Sequence, residues 1–124
     1  MDHQSDNIIV RIANIGDIHF ASLITDEMEA SAKARGTGIA KRQPEYIENK
    51  MLDGKAVIAI TTEGDWVGFC YIETWSHGVY VANSGLIVSP HFLKSGVAMR
   101  IKAAILRSRV RSIRMQKFLG LPLA

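Results

Sequence analysis

The feature that most constrains the fold is an apolar run near the middle of the chain. It spans residues 56–62 and reads AVIAITT, with no polar residue before Thr61. A strand with one face in water alternates apolar and polar residues, whereas a strand covered on both faces stays apolar throughout. We therefore predict a buried central strand in a sheet that has helices on both faces.

Three further runs predict strands around this one. Residues 8–12, 66–74 and 80–88 are rich in β-branched and aromatic residues. Glycine-containing turns separate the strand at 56–62 from the strand at 66–74, and that strand from the one at 80–88. Strands joined by short turns pair antiparallel. The sheet is therefore predicted to be mixed but mainly antiparallel.

Helices are predicted over 18–35, over 44–52 and from Gly96 to about Val110, where apolar residues recur at helical spacing. Asp17 can cap the first of these helices. The resulting order is β-α-α-β-β-β-α, an α+β fold in a single domain over residues 1–124.

The charged residues divide unevenly along the chain. Residues 1–73 carry all 12 acidic residues with 7 Lys and Arg, whereas residues 74–124 carry 8 basic residues and no acidic one. A basic half predicts an anionic partner: nucleic acid, a membrane surface or a phosphate-bearing small molecule. The basic residues are not interleaved with stacking aromatic residues, so we expect no nucleic-acid partner. No apolar run approaches the ~18 residues of a membrane span, so we expect no membrane partner.

The single cysteine, Cys70, lies in the apolar run of the 66–74 strand. It predicts a buried small hydrophobic side chain and cannot form an internal disulfide. The N-terminus lacks the basic-then-apolar order of a signal peptide. These features favour a cytoplasmic protein, and we expect no metal site.

The most informative segment runs from Leu86 to Ala98. An apolar strand enters a short loop that contains Ser95 and Gly96, and the loop enters an amphipathic helix. The first backbone N–H groups of a helix have no intrahelical partner, and the helix dipole adds positive potential there. Small residues let an anion approach this backbone, and Lys94 adds a charge. The segment therefore predicts a phosphate-binding cradle.

This segment resembles the acyl-CoA loop of the GNAT superfamily of N-acyltransferases. The pattern of that loop is Arg or Gln, two residues, Gly, one residue, then Gly or Ala. Leu93 departs from it at the first position, whereas Gly96 and Ala98 match. The predicted element order also resembles the family over about residues 8 to 110. The resemblance implies an acetyl-CoA-dependent N-acetyltransferase whose cofactor contacts Leu86, Val88, Leu93, Lys94, Ser95, Gly96, Val97 and Ala98.

Two segments are more specifically similar to a bacterial subgroup that is linked to arginine biosynthesis and acts on glutamate-like acceptors. They cover residues 31–42 and 68–78. The loop between the first two helices borders the acceptor in the family, so Arg35, Lys41 and Arg42 would face an acidic acceptor or the cofactor's 3′-phosphate. Alternatively, these three side chains are solvated charges of a surface loop and contact no ligand. Trp75 would line the acceptor site or serve packing alone. The resemblance thus implies a small-molecule amine acceptor, in one interpretation an amino acid.

The resemblance leaves the catalytic base open. Many family members carry a carboxylate on the strand before the loop, near the position that Ala82 holds here, and alanine cannot act as a base. Glu73 on the preceding strand is one candidate, and His77 at the adjacent turn is another. A proton path through water is a third. Alternatively, Glu73 is a salt-bridged surface residue and His77 is a turn residue, and neither takes part in catalysis.

Family members continue past the cofactor helix with further strands and a helix, whereas 14 residues follow Val110 here. We therefore expect a fold that lacks its C-terminal elements. Residues 118–121 would form a vestigial strand or nothing regular. An open strand edge predicts association into a homodimer. A GNAT-like module that binds CoA without turnover is the alternative function.

Overall fold

The computed structural model describes residues 7–36, 43–75 and 80–118. Within these ranges the structure places four strands, three α-helices and two short 3-10 helices. The elements are β1 (Ile8–Ile12), a 3-10 helix (Ile15–Phe20), α1 (Ala21–Ala34), α2 (Pro44–Leu52), β2 (Ala56–Thr61), β3 (Trp66–Trp75), β4 (Tyr80–Val88), a 3-10 helix (Pro90–Phe92) and α3 (Val97–Phe118).

The four strands form one antiparallel sheet in the order β1-β2-β3-β4. This order confirms the predicted α+β class and the hairpins, and the pairs between neighbouring strands are all antiparallel. Four residues separate β2 from β3 and β3 from β4, and strands so closely joined pair antiparallel, whereas β1 pairs with β2 across the segment that contains α1 and α2. Within the described residues, β4 is therefore an edge strand.

Helices cover both faces of the sheet, as the apolar run predicted. On one face, Val57 and Ala59 of β2 pack with Val97, Ile101 and Ile105 of α3. On the other face, the side chain of Ile58 joins a cluster with residues from α1 and α2, namely Ile24, Ile47 and Met51. Cys70 is buried on the α3 face, in agreement with its expected role as a small hydrophobe.

The packing of α3 on β3 is close at Gly68. A Cβ added at Gly68 would lie 2.8 Å from Cδ1 of Ile101 and 3.3 Å from the carbonyl oxygen of Ile87. Both neighbours would have to shift to admit a side chain here, so its absence lets α3 lie close to β3.

The start of the first helical segment differs from the prediction. The expected helix over 18–35 is a 3-10 turn up to Phe20, followed by α1 from Ala21. Asn14, and not Asp17, is the N-cap: its side chain accepts from the backbone N–H of Gly16, while Asp17 accepts from the backbone N–H of Asn14. Asp17 also accepts two hydrogen bonds from Arg11, at 2.7 and 2.8 Å, and is 2% exposed.

The predicted end of α3 near Val110 was wrong, because the helix continues to Phe118. Residues 111–118 contain helix-forming Arg, Met, Gln and Lys, and the next glycine and proline are Gly120 and Pro122. Backbone propensity thus extends the helix beyond the point where its apolar periodicity fades. Of the expected strand at 118–121, Phe118 ends α3, and 119–121 lie outside the described residues. Among the described residues, no helix combines the length and the apolar character that crossing a bilayer requires.

Candidate functional site

The predicted phosphate cradle lies where β4 passes into α3. The buried Ser89 follows β4, and a 3-10 turn over Pro90–Phe92 carries the chain to Leu93 and Lys94. Ser95, which is 8% exposed, donates from Oγ to the carbonyl of Phe92 at 2.7 Å and accepts from the N–H of Val97 at 3.3 Å. The Ser95 hydroxyl is therefore occupied in holding the turn and capping α3.

Gly96 gives the cradle its open backbone. Its φ of 80° lies in the left-handed region that glycine adopts readily, and a Cβ added there would meet no atom within 4 Å. Gly96 and Lys94 are exposed. The first turn of α3 contains no acidic residue, so nothing in that turn opposes the positive potential of the helix N-terminus. This geometry suits an anion that approaches the backbone from solvent.

The edge of β4 offers a second set of polar backbone groups. Ser89 donates its N–H to the carbonyl of Val67 at 2.7 Å, so the backbone polar groups of Ser89 point toward β3. Successive residues of a strand turn their backbone groups to opposite sides, so the N–H and C=O of Val88 point away from β3. Val88 can thus pair with an extended ligand as a further strand would.

A β-bulge interrupts β4 immediately before this edge. Phe69 pairs with Ile87 and Tyr71 pairs with Ser84, so Gly85 and Leu86 together oppose the single residue Cys70. Gly85 has a φ of 64°, the conformation expected of the first residue in a glycine bulge. A bulge leaves a backbone group outside the regular ladder, and it bends the strand at Leu86.

The bulge is supported by a close contact with Tyr71. A Cβ added at Gly85 would lie 2.1 Å from Cε1 of the Tyr71 ring, so only glycine fits beneath this ring. Tyr71 is buried, and its ring also meets the edge of the Tyr46 ring, with the centroids 5.6 Å apart. The ring therefore joins the bulge to helix α2.

Glu73 lies two residues beyond Tyr71 and is held by two donors from α2. The hydroxyl of Tyr46 donates to Oε1 of Glu73, and Nζ of Lys50 lies 3.1 Å from Oε2. Lys50 also donates to the carbonyl of Ile72 at 2.8 Å, and its ammonium lies 5.5 Å from the ring centroids of Tyr46 and Tyr71. The Glu73 side chain keeps 25% of its surface exposed, so the carboxylate is both anchored and accessible.

The register sets Glu73 directly opposite Ala82. Residues that face each other across an antiparallel pair share one face of the sheet. The carboxylate of Glu73 therefore leaves β3 beside the position that Ala82 holds on β4.

The remaining predicted residues fall in different places. Arg35 is exposed and caps the C-terminal end of α1, and Leu93 is 69% exposed beside the cradle. Trp75 ends β3, where its backbone pairs with Tyr80. His77, Lys41 and Arg42 lie outside the described residues.

Sequence reasoning missed Gly85, Tyr46 and Lys50. An isolated glycine inside a strand pattern is a signal for a bulge, so Gly85 could have been found. Tyr46 and Lys50 carried no such signal, because they meet Glu73 only after α2 has packed on β3.

Two clefts flank the C-terminal end of β4 on the α1 side. The first, of about 270 Å³, runs between α1 and the cradle and is lined by Glu27, Ser31, Val88 and Leu93, among others. The second, of about 470 Å³, lies between α1 and the β2–β3 turn, and Glu27 borders it too. In the part of the chain that the structure describes, no group of three or more His, Cys, Asp and Glu side chains is placed to hold a metal ion.

Comparison with known proteins gives a consistent structural likeness. No protein-family model matches the sequence, and no curated protein matches it either. Among solved structures, N-acetylglutamate synthase from Neisseria gonorrhoeae, complexed with coenzyme A and N-acetyl-glutamate, is similar with a TM-score of 0.66 and 22% identity over 85% of this chain. Diaminobutyrate acetyltransferase EctA from Paenibacillus lautus is similar with a TM-score of 0.62 and 13% identity over 80% of this chain.

A GNAT-family acetyltransferase from Streptococcus agalactiae also superposes, with a TM-score of 0.64 and 16% identity over 82% of this chain. The chain spans 23% of the length of the Neisseria synthase, 56% of EctA and 69% of the Streptococcus protein. At these identities the likeness concerns the fold.

Proposed function

Since the chain has the fold of the GNAT acetyltransferases, we propose that it is an N-acetyltransferase, which transfers acetyl from acetyl-CoA to the primary amine of a small molecule. The observation that carries the proposal is the junction of β4 and α3. An outward-facing strand edge at Val88 and an open, acid-free helix N-terminus at Gly96 follow each other within one short segment. Structural neighbours with this fold are complexes with coenzyme A.

The residues of the cradle fit the anionic part of this cofactor. In the segment from Lys94 to Ala98, the N–H of Ser95 donates to the carbonyl of Phe92 and that of Val97 donates to Oγ of Ser95. The N–H groups of Lys94, Gly96 and Ala98 would bind the pyrophosphate, with Leu93 at the margin and the ammonium of Lys94 nearby. The backbone of Leu86 and Val88 would pair with the extended pantetheine arm, as an added strand pairs with a sheet edge. Ser95 and Val97 hold the shape of the cradle, because Ser95 caps α3 and Val97 is buried beneath it. When bound, the cofactor supplies an acetyl group activated as a thioester.

The acceptor amine must be uncharged to attack a carbonyl carbon, and Glu73 is the residue we propose to take its proton. The anchored, accessible carboxylate beside the Ala82 position supports this role. Lys50 and Tyr46 position the carboxylate and leave its remaining lone pairs to accept the proton directly or through water. His77 stays the alternative base.

The acceptor itself is proposed to lie near the α1–α2 connection. Arg35, Lys41, Arg42 and Trp75 would contact it there, and an amino acid is one acceptor class that this set suits. The Neisseria synthase structure, which holds N-acetyl-glutamate, lends support to that class.

One observation favours a second function, a CoA-binding module without turnover. Both oxygens of Glu73 already accept hydrogen bonds from α2. The lone pairs that these donors occupy cannot also accept a proton from an acceptor amine, so the contacts suit a glutamate that anchors α2 to β3. The two functions share the cofactor site and differ only in catalysis.

A thermal-shift titration with CoA tests the shared part. A ligand that binds only the folded state raises stability by RT ln(1 + [L]/Kd), so the melting temperature should climb with CoA concentration. Pantetheine, which lacks the pyrophosphate, is the control and should give a much smaller rise. No rise at millimolar CoA would overturn the proposal. Mass spectrometry of an amine panel incubated with acetyl-CoA then separates enzyme from binding module.

A further inference from the structure

Helix α3 has a second apolar stripe, on the side that points away from the sheet. Val97, Ile101 and Ile105 face the sheet and are buried, whereas Met99 and Leu106 are 70% and 57% exposed. Single exposed apolar side chains are ordinary on protein surfaces, so their exposure alone does not indicate a partner. The spacing of the exposed residues along the helix is more specific.

The exposed apolar residues follow the spacing of a coiled-coil seam. Met99, Ala103 and Leu106 lie four and then three positions apart, and Ala103 is exposed as well. In the sequence, Val110 and Ile113 continue the same alternation of four and three within α3. When the seven positions of a heptad are written a to g, these residues occupy d and a in turn, the two positions that form the seam of a coiled coil.

The same notation separates the buried side of α3 from its exposed side. From Val97 to Arg107, every residue at positions b, c and f is buried or partly buried, and every residue at a, d, e and g is exposed. Positions a, d, e and g are those that contact the partner helix in a coiled coil. The packing of α3 on the sheet therefore leaves free the side that a second helix needs.

Basic residues flank the seam on both sides. The e positions and the first two g positions of α3 are all basic, namely Arg100, Arg107, Arg114, Lys102 and Arg109. Lys102 and Arg107 are exposed, and so is Arg100, although its guanidinium donates to the carbonyl of Ile8 at 2.9 Å. The sequence of α3 contains no acidic residue. The proposed cofactor site uses none of these five charges.

These flanking charges indicate the kind of helix that fits. Charges at e and g interact across the seam and decide which helices pair and in which orientation. A second copy of α3 would set basic residues against basic residues in parallel and antiparallel pairing alike, and like charges at this distance repel. Charge complementarity therefore favours a partner helix with acidic residues beside its own seam.

We infer that the outer side of α3 binds an acidic amphipathic helix of another protein and forms a heteromeric coiled coil with it. The partner presents apolar residues to Met99, Ala103 and Leu106, and it presents Glu or Asp to Lys102 and Arg107. A membrane surface fits less well, because helices that lie on lipid have a broad apolar face, whereas the stripe on α3 is a narrow a/d seam.

Binding of designed peptides, measured by fluorescence anisotropy, tests this inference. The probe is a labelled peptide of three heptads with Leu at a and d and Glu at e and g. One matched peptide has Lys at e and g, and another keeps Glu there but has Ser at a and d. The probe should bind about tenfold or more tightly than either peptide, because the first loses the opposite charges and the second loses the apolar contacts. No binding of the probe, or equal affinity for the probe and either matched peptide, would overturn the inference.

Variants of α3 test the named residues. Leu106→Gln should weaken binding of the probe about tenfold, because it removes one apolar residue from the seam. Leu52→Gln is the matched control and should leave binding unchanged, since Leu52 ends α2 and is 54% exposed. The double variant Lys102→Glu, Arg107→Glu should reduce the preference for the Glu peptide over the Lys peptide. Circular dichroism shows whether each variant is folded. An equal loss in Leu106→Gln and Leu52→Gln, or an unchanged preference in the double variant, would contradict the assignment.

Vesicle sedimentation separates a membrane partner from a helical one. With vesicles of phosphatidylserine and phosphatidylcholine at a ratio of about 3:7, Leu106→Gln should sediment to the same extent as wild type. Strong binding of wild type to these vesicles that Leu106→Gln loses would overturn the inference in favour of a membrane surface. None of these measurements uses CoA, so their failure would leave the cofactor proposal intact, and failure of CoA binding would leave this inference intact.

Discussion

Glu73 of β3 lies directly opposite Ala82 of β4, so a carboxylate stands next to a strand position that bears none. Lys50 and Tyr46 of α2 anchor this carboxylate from the same face of the sheet. β3 can therefore supply a carboxylate beside Ala82, a position at which β4, the strand proposed to bind the cofactor, has none.

Replacing Glu73 with Gln should separate catalysis from binding. If Glu73 takes the amine proton, acetyl transfer should fall about 100-fold or more, since positioned bases contribute on that scale. The Kd for CoA should stay unchanged. Steady-state rates on an acceptor found by mass spectrometry give the first quantity, and calorimetry gives the second. An unchanged rate would assign the proton transfer to His77 or to water.

Replacing Gly96 with Glu should abolish CoA binding while the protein stays folded. The new side chain would enter the open space beside the backbone, and its charge would repel phosphate. Gly64→Glu is the matched control, because Gly64 also has a positive φ, of 96°, with no atom within 4 Å of an added Cβ. Both variants should lose about 1–2 kcal/mol of stability from backbone strain. Equal CoA affinity in the two variants would move the cofactor site elsewhere.

Replacing Gly85 with Ala should destabilise the protein far more than replacing Gly36 with Ala. Both glycines have positive φ, but an added Cβ meets the Tyr71 ring at 2.1 Å in the first case and nothing within 4 Å in the second. Strain alone costs about 1–2 kcal/mol, and overpacking adds about 1–3 kcal/mol at Gly85. Urea denaturation measures both variants. Equal losses would show that the ring moves aside freely.

Replacing Asp17 with Asn should lower stability at neutral pH but not in acid. Burial raises the pKa of Asp17. The hydrogen bonds from Arg11 and Asn14, together with the charges of Arg11 and His19, lower it by more than burial raises it, so the net pKa falls below the ordinary 3.8. The pKa of Arg11 is raised in turn, chiefly by its hydrogen bonds to Asp17. A lowered carboxyl pKa contributes stability above the ordinary value, and this contribution disappears as pH falls through the lowered value.

The difference in unfolding free energy between wild type and Asp17→Asn should therefore be about 1–3 kcal/mol at pH 7, the scale for a buried group that loses its partner. It should shrink toward zero as the pH falls through the lowered pKa of Asp17. Asp53→Asn, at an exposed position, is the control and should change little at either pH. A difference that persists undiminished in acid would mean that Asp17 acts through packing and not through its charge.

Self-association through the outer edge of β4 is a further expectation. The polar groups of Val88 point away from β3, and an open edge pairs readily with a second copy. Light scattering should give a mass near twice the 13.7 kDa of the chain. CoA should lower this mass, because it would occupy the same edge. A mass of one chain at every concentration would contradict the association.

Local sequence patterns determined most of the secondary structure. The apolar run at 56–62, the turn residues around it and Pro44 at the start of α2 each act over a few neighbouring residues, and the observed strands and α2 agree with them. The cradle could also be predicted in outline, since a strand, a Ser-Gly loop and a helix follow each other along the chain. The end of α3 could not, because apolar periodicity fades before helix propensity does.

The chemistry of the site was decided by the tertiary structure. Tyr46 and Lys50 reach Glu73 across 27 and 23 residues of sequence, and only the packing of α2 on β3 brings them together. The pairing of Glu73 with Ala82 depends on the strand register, which the bulge at Gly85 shifts by one residue. Strand and helix preferences are local and can be read from neighbouring residues. Register and packing depend instead on the free energy of the whole chain, because each contact involves residues far apart in sequence. The sequence alone therefore predicted an anion-binding segment between β4 and α3, whereas the fold decided which side chains surround Glu73.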